Sequence, residues 1–593
     1  MIVGARARGR EAVEMAVVNS RLEGVVRAMG NTLLRTARSG VLNQARDFSC
    51  CVLTADHGLL AAADSLPIHV MSGPDLMARS MVEHHPTLRA GDAFLHNSPY
   101  EGGSHPADHA ILVPVLDPNG VHRLTVVAKG HQADIGNSKP TTYMAGARDV
   151  YEEGALIFPC VRVQRDYEDL GDVIRMCRAR IRVPDQWWGD YLALLGAARV
   201  GERRLAELGG ELGWDAVDEH ARRWFAYSEQ RMSAALSRLP AGRFDVEGRH
   251  DPVEVAPDGV VVKASIEIDP HRPRLTVDLR DNVDALDCGL NLSEACAKTA
   301  AMIGIFNALP ELVPANAGSF RPLAFEIRPG SIAGGVAHPY SCSAATTNLA
   351  DRLANAVQRG LAELLDGYGL AEAGLAMPPS LPVISGRDES RGGERFVNQI
   401  CLASTGGPGS PDADGWLTIV HVGNAGVLLR DSVETDEHRY PLRVTSQRLV
   451  PDSEGAGRHR GAPSVEVVFE ATTSELEVIF ACDGNTEPAR GARGGEPGGR
   501  SAQRLRRLDG ETVAVGGFAA ATLLPGEAIV ATTCGGGGYG PPRERDPEAV
   551  AHDVAEGWVS AERARQTYRV VVRDGRLDDD ETARLRAAGK MPL

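Results

Sequence analysis

The chain has 593 residues, 43% of them hydrophobic and 24% charged, a globular composition long enough to divide into several subdomains. Its formal net charge of -16 leaves no basic surplus to follow a phosphate backbone or an anionic bilayer, so nucleic acid and membranes are excluded as expected partners. Met1 to Glu14 lacks the apolar core of a secretory signal and no later window reaches the roughly 18 apolar residues of a membrane span, so a cytoplasmic protein is expected. The ten cysteines are scattered, apart from Cys50-Cys51, without C-x-x-C spacing, and are read as reduced and mostly buried.

In chain order, Glu11 to Arg38 carries Val17, Leu22, Val25, Val26, Met29, Leu33 and Leu34 at helical spacing, and Ser39-Gly40 ends it. Short apolar runs follow at Phe48 to Thr54, Ala93 to His96, Ile111 to Val115 and Leu124 to Lys129, separated by Gly, Pro, Asn and Asp clusters, and these predict strands and turns. Val173 to Leu239 is predicted helical, Val260 to Ile268 and Arg274 to Leu279 a strand pair, and Ser293 to Leu309 and Asn348 to Leu365 core helices. Beyond Asp366 the chain is rich in glycine and in short β-prone runs such as Glu475 to Ala481, Glu511 to Val515 and Glu527 to Thr532; Pro488 to Arg500 is expected as a loop among them. The expectation is an α+β chain of four subdomains: a metal-bearing α/β part (1–172), a mixed helical and strand part (173–365), a β-rich part (366–540) and a short helical tail (541–593).

Two polar cassettes sit at strand ends. One runs from His96 through Asn97, Gly102-Gly103 and His105 to Asp108 and His109; the other is Gly130-His131-Gln132-Ala133-Asp134-Ile135-Gly136-Asn137. Each sets a His three residues before an Asp. Two imidazoles with one or two carboxylates suit a divalent ion of intermediate hardness and leave positions open for water or substrate. His105, Asp108 and His131 fit that set, and Asp47, where a strand begins, is a candidate fourth ligand. The same spacing also fits histidines that cap turns, and spacing does not separate the two. Asp134 and His109 are candidates either to orient a ligand imidazole or to act as a general base. Gly102-Gly103 is expected to let the backbone turn so that His105 faces inward.

No phosphate-binding G-x-x-x-x-G-K-[ST] loop and no G-x-S-x-G elbow is present, and the run Gly535-Gly536-Gly537-Gly538-Tyr539-Gly540 lacks the Lys and Ser/Thr of a phosphate loop. That run is read as flexible close packing. Tyr143, Met144 and Trp187-Trp188 fit either an apolar substrate wall or core.

Several segments together resemble the hydantoinase B/oxoprolinase family: Ala45-Arg46-Asp47-Phe48-Ser49-Cys50, Asn97 to His105, Gly130 to Gly136, Arg439-Tyr440-Pro441-Leu442-Arg443, Gly455 to Gly461 and Gly535 to Gly540. The resemblance covers essentially the whole chain. It implies a B-type subunit of an ATP-dependent hetero-oligomer, in which an A-type partner of actin-like ATPase fold uses the ATP and phosphorylates the substrate or a co-substrate. The activities it implies are the opening of a cyclic amide of hydantoin, oxoproline or lactam type or, alternatively, carboxylation of a ketone of acetone or acetophenone type. A non-catalytic scaffold subunit is a third expectation. The family's metal site falls, by this resemblance, on Asp47, His105, Asp108 and His131, with manganese, zinc or ferrous iron as the implied ion. The chain departs from the common pattern at Ser98, at Pro106-Ala107 and at Pro140 to Met144, so its substrate is not carried over from any member.

Overall fold

The computed structural model describes residues 2–588; Met1 and the last residues of the expected tail, 589–593, lie outside them. The fold is α+β, and the chain divides into two compact units, each assembled from separated stretches: 1–243, 265–299 and 311–346 in the first, 244–264, 300–310 and 347–593 in the second. No helix among the described residues is long and apolar enough to cross a membrane. All ten cysteines are free and buried.

The first unit opens with α1 (Ile2–Thr36) and α2 (Gly40–Asn43), which lead into β1 (Phe48–Thr54) and β2 (Leu59–Ala61). Next come α3 (Pro67–Val70), α4 (Pro74–His84), β3 (Ala93–His96), β4 (Asp108–Leu116) and β5 (His122–His131). Then follow α5 (Val150–Glu153), β6 (Val161–Arg165), β7 (Glu168–Asp169), α6 (Gly171–Arg180), α7 (Pro184–Leu212) and α8 (Trp214–Leu236). The strands form one antiparallel sheet in the order β2-β1-β5-β4-β3-β6-β7. β1, β4 and β5 are buried almost throughout because both faces of the sheet are covered, so the two-residue alternation of a half-exposed strand is missing.

Register decides which side chains meet. Ala110 pairs with Lys129, Leu112 with Val127, Ser49 with Lys129 and Cys51 with Val127, so these side chains share one face. Along that face Cys51, Ala110, Leu112 and Val127 pack with Met77 and Met81 of α4 into a core. At the end of the same face Asp108 stands opposite His131. The other face, where His109 stands opposite Gly130, is covered by α1, α2 and α7.

Asp190 of α7 ties that helical cover to the start of α2. One carboxylate oxygen accepts the Arg38 amide at 2.6 Å and the Ser39 amide at 3.1 Å, and the group is 1% exposed. Burial is the larger influence and pushes the carboxyl up to about 6, against 3.8 for a free Asp. A carboxyl raised on folding contributes stability that is complete below pH 4 and is lost as pH rises through 6. From this group alone the protein is expected to lose about 2 kcal/mol between pH 4 and pH 7. Asp190→Asn should remove that slope. Urea unfolding of both proteins at the two pH values measures it, and parallel pH profiles would refute the assignment.

In the second unit two antiparallel sheets, 394–399/383–388/476–481/518–523 and 442–449/465–471/528–532/502–506/512–514, share a core that includes Phe396, Val478, Phe480, Val467, Phe469 and Ile529. Beside them lies a lattice of glycine segments. The N–H groups of Gly535, Gly536 and Gly537 donate in turn to Gly499, Ala462 and Glu372, and those of Gly538 and Tyr539 return to Glu496 and His459. Acceptor segments thus recur every three residues, the repeat of an extended three-fold helix with no internal hydrogen bonds. The run expected as flexible close packing is closely packed but held in a lattice instead of left flexible, since each of these N–H groups is bonded.

Candidate metal centre

The first cassette is shaped by backbone constraints. Gly102 has φ +95°, and a Cβ on Gly103 would lie 2.5 Å from the Ser98 carbonyl, so the turn into His105 requires glycine at both places. Asn97 staples the cassette: its Nδ2 donates to the Pro106 carbonyl at 2.6 Å and the Leu156 carbonyl at 2.9 Å, and its Oδ1 accepts the Phe158 amide at 2.7 Å. β4 then delivers Asp108 and β5 delivers His131.

Asp108 is the hub. Its Oδ1 lies 2.9 Å from His105 Nε2 and 3.2 Å from His131 Nδ1. Its Oδ2 accepts from the Ser104 hydroxyl and lies 3.2 Å from His69 Nε2 and 3.4 Å from Lys129 Nζ, which also donates to Ser104 Oγ at 2.6 Å. Asp47 lies at the edge, its Oδ1 3.7 Å from His69 Nε2, while its carbonyl accepts the His131 amide at 3.0 Å. Burial alone would raise the Asp108 carboxyl, yet His105, His69 and Lys129 hold it well below the usual carboxylate range. For His105, burial pulls the imidazole down, and the Asp108 charge and hydrogen bond more than offset this, for a net rise. Burial dominates at His69 and keeps it below an ordinary histidine.

These residues suit a divalent ion. His105 Nδ1 lies 2.9 Å from the Ser343 carbonyl, which only accepts, so that nitrogen carries the hydrogen. In a neutral His105 the Nε2 lone pair therefore faces a carboxylate oxygen at 2.9 Å, a repulsive arrangement that either a second ring proton or a bound cation relieves. Donor atoms of His105, Asp108 and His131 lie within 4.8 Å of one another, all buried. Tetrahedral zinc with arms of roughly 2.0–2.1 Å separates its donors by about 3.3 Å, close to the spacing already present. His131 is braced as well: Thr142 Oγ1 lies 3.0 Å from its Nε2, and Tyr143 stacks on its ring with centroids 5.3 Å apart. Tyr143 is therefore a wall of the centre itself.

Of the six expected residues, His105, Asp108 and His131 come together, and Asp47 joins them through His69. His109 and Asp134 do not join. His109 follows Asp108 in the strand and so faces α7, where Trp187 Nε1 donates to its Nδ1 at 3.4 Å; burial holds this imidazole down to about 3. Both oxygens of Asp134 are engaged, by the Arg182 amide at 2.6 Å, the Arg182 guanidinium at 3.2 Å and the Gly136 amide at 3.0 Å. Trp187 stacks on Tyr191 on that same helical side. His69 and Lys129 are not signalled by sequence spacing. His69 lies on a four-residue helix between apolar Ile68 and Val70, and Lys129 reads as the polar end of a strand.

Proteins of known family and structure share this chain's sequence and fold over nearly its whole length. The family model described as hydantoinase B/oxoprolinase matches residues 11–542. The beta chain of the caprolactamase of Pseudomonas jessenii is 28% identical over 585 residues, covering 97% of this chain and 99% of that one. A putative D-/L-hydantoinase component of the B type, from Pseudomonas sp. (strain NS671), is 27% identical, covering 97% and 98%. Among solved structures, the ATP-dependent caprolactamase from Pseudomonas jessenii superposes with a TM-score of 0.87 at 27% identity over 97% of this chain and 99% of that one. Acetone carboxylase in a nucleotide-free structure gives 0.86 at 18% identity over 99% and 84%, a likeness of fold. The chain belongs to the hydantoinase B/oxoprolinase family.

Proposed function

We propose that this chain is the metal-dependent catalytic B-type subunit of an ATP-dependent cyclic amide hydrolase, opening a ring of hydantoin, oxoproline or lactam type after an A-type partner has phosphorylated the substrate. The observation that carries it is the carbonyl-fixed His105 facing the Asp108 carboxylate beside His131. Full-length similarity to one chain of a caprolactamase supports hydrolysis as the reaction class.

In this reading Asp47, His105, Asp108 and His131 hold the ion, of manganese, zinc or ferrous type. When bound, such an ion polarises an oxygen and lowers the pKa of a water to near neutrality. The protein's own contribution is orientation. Ser343 and Thr142 set the faces that His105 and His131 present, and Ser104, His69 and Lys129 fix the outer oxygen of Asp108. Lys129, 2% exposed, adds a positive charge that favours an anionic phosphorylated substrate near the centre. The assembly works as a cytoplasmic hetero-oligomer.

The test is reconstitution. Purified chain, an A-type ATPase subunit, ATP and manganese or zinc are incubated with hydantoins, oxoproline and lactams, and ring-opened product is followed by mass spectrometry. Product that depends on all components is expected. ATP turnover that instead requires bicarbonate and a ketone, without ring opening, would replace the hydrolase by a carboxylase. A folded wild-type protein that takes up no metal would leave only a scaffold.

A further inference from the structure

Glu153, the last residue of α5, is 0% exposed, and among the described residues its Oε1 has no hydrogen-bond partner. A buried oxygen left without a partner is destabilising, so packing alone would favour an apolar residue here. Its Oε2 accepts from the Ser341 hydroxyl at 2.8 Å, and Ser341 Oγ in turn accepts the Ser343 amide at 3.3 Å. The Ser343 carbonyl is the acceptor for His105 Nδ1 at 2.9 Å. Every donor in this chain points from the imidazole toward the acid.

The surrounding backbone makes residues 339–344 a clamped loop. The Val150 amide donates to Pro339 at 2.9 Å, the Ser341 amide to Arg148 at 3.3 Å and the Ala344 amide to Gly289 at 2.8 Å. Asn291 Nδ2 holds the Ser341 carbonyl at 2.9 Å, and the Met144 amide holds Ser343 Oγ at 2.9 Å. Within this frame, the Ser341 hydroxyl depends on Glu153 for its acceptor.

We infer that Glu153 is a positioning residue for the metal centre: through Ser341 it fixes the Ser343 carbonyl, and through that carbonyl it fixes which nitrogen of His105 faces Asp108. The metal affinity part of this inference rests on the proposed metal centre; the tautomer part does not. Two readouts test it. Zinc and manganese are titrated into metal-free wild type, Glu153→Ala, Glu153→Gln and Ser341→Ala, each checked for folding. The 15N resonances of His105, assigned by their loss in His105→Gln, are recorded without metal. Glu153→Ala and Ser341→Ala should weaken metal binding about 10- to 100-fold and move His105 toward mixed tautomers, whereas Glu153→Gln, still an acceptor for Ser341, should stay within about threefold. If Glu153→Ala does not fold, the small Ser341→Ala change still decides. A folded Ser341→Ala protein with wild-type affinity and wild-type His105 resonances overturns the inference. If wild type binds neither metal, the metal centre falls, and the His105 resonances alone confirm or overturn the role of Glu153.

Discussion

Asp108→Asn is expected to abolish stoichiometric metal and to destabilise the metal-free protein as well. The carboxylate is engaged on both sides, with imidazole nitrogens at Oδ1 and the Ser104 hydroxyl, His69 and Lys129 at Oδ2. An amide in its place carries no charge to balance Lys129, and an NH2 turned toward that side would face the ammonium. Lys129, 2% exposed, loses the carboxylate it pairs with. Breaking one partner of a buried pair costs about 3–5 kcal/mol, and removing one of the four proposed ligands would weaken metal binding roughly 10²- to 10³-fold, taking a whole site at about 10–16 kcal/mol. His131→Ala separates the two effects, because it removes a proposed ligand and leaves the Asp108–Lys129 pair intact. It should lose metal with a much smaller loss of stability. Elemental analysis with urea unfolding of both variants gives the result; an Asp108→Asn protein as stable as wild type with full metal content would dissolve the hub.

How much of this centre is legible in the sequence depends on what spacing encodes. His105 and Asp108 are three residues apart on one turn, and His131 ends a strand whose register with β4 follows from two apolar runs and a short connection, so a linear reading reaches all three. His69 is missing from such a reading because it arrives from a short helix whose contact with Asp108 is purely tertiary. His109 illustrates the opposite error. Adjacent to Asp108 in sequence, it is turned away by the alternation of the strand. The strands Phe48–Thr54 and Ala93–His96 and the helix from Asn348 are found with nearly the expected bounds, because each is an apolar run closed by Gly, Pro or polar clusters. The division into units is not visible in the same way, since residues 265–299 and 311–346 join the first unit by contacts that no composition shift marks.

Gly536→Ala is expected to prevent the second unit from folding, the larger effect of the two. A Cβ there would sit 1.9 Å from the Gly407 carbonyl oxygen, and its neighbours allow no escape: a Cβ on Gly537 would lie 2.1 Å from the Arg490 carbonyl and one on Gly538 2.2 Å from that of Ala456. All three obstacles are backbone atoms already engaged with the segments around them, so no rotamer change relieves the clash. The segments can only move apart, and doing so breaks the hydrogen bonds of Gly535 to Gly538 to the stretches of chain around them. Collagen meets the same constraint with a glycine at each third, axis-facing position, and a single larger residue there disrupts the assembly. The expected loss exceeds about 4–5 kcal/mol, beyond the reach of ordinary substitutions and a large part of the stability of most domains. Gly516→Ala is the matched control, since nothing lies within 4 Å of its added Cβ. Soluble yield, circular dichroism and limited proteolysis of both variants distinguish a lattice from a flexible loop. A soluble Gly536→Ala protein as resistant to protease as Gly516→Ala would mean that the run tolerates side chains and that the three-residue repeat of acceptors carries no stability.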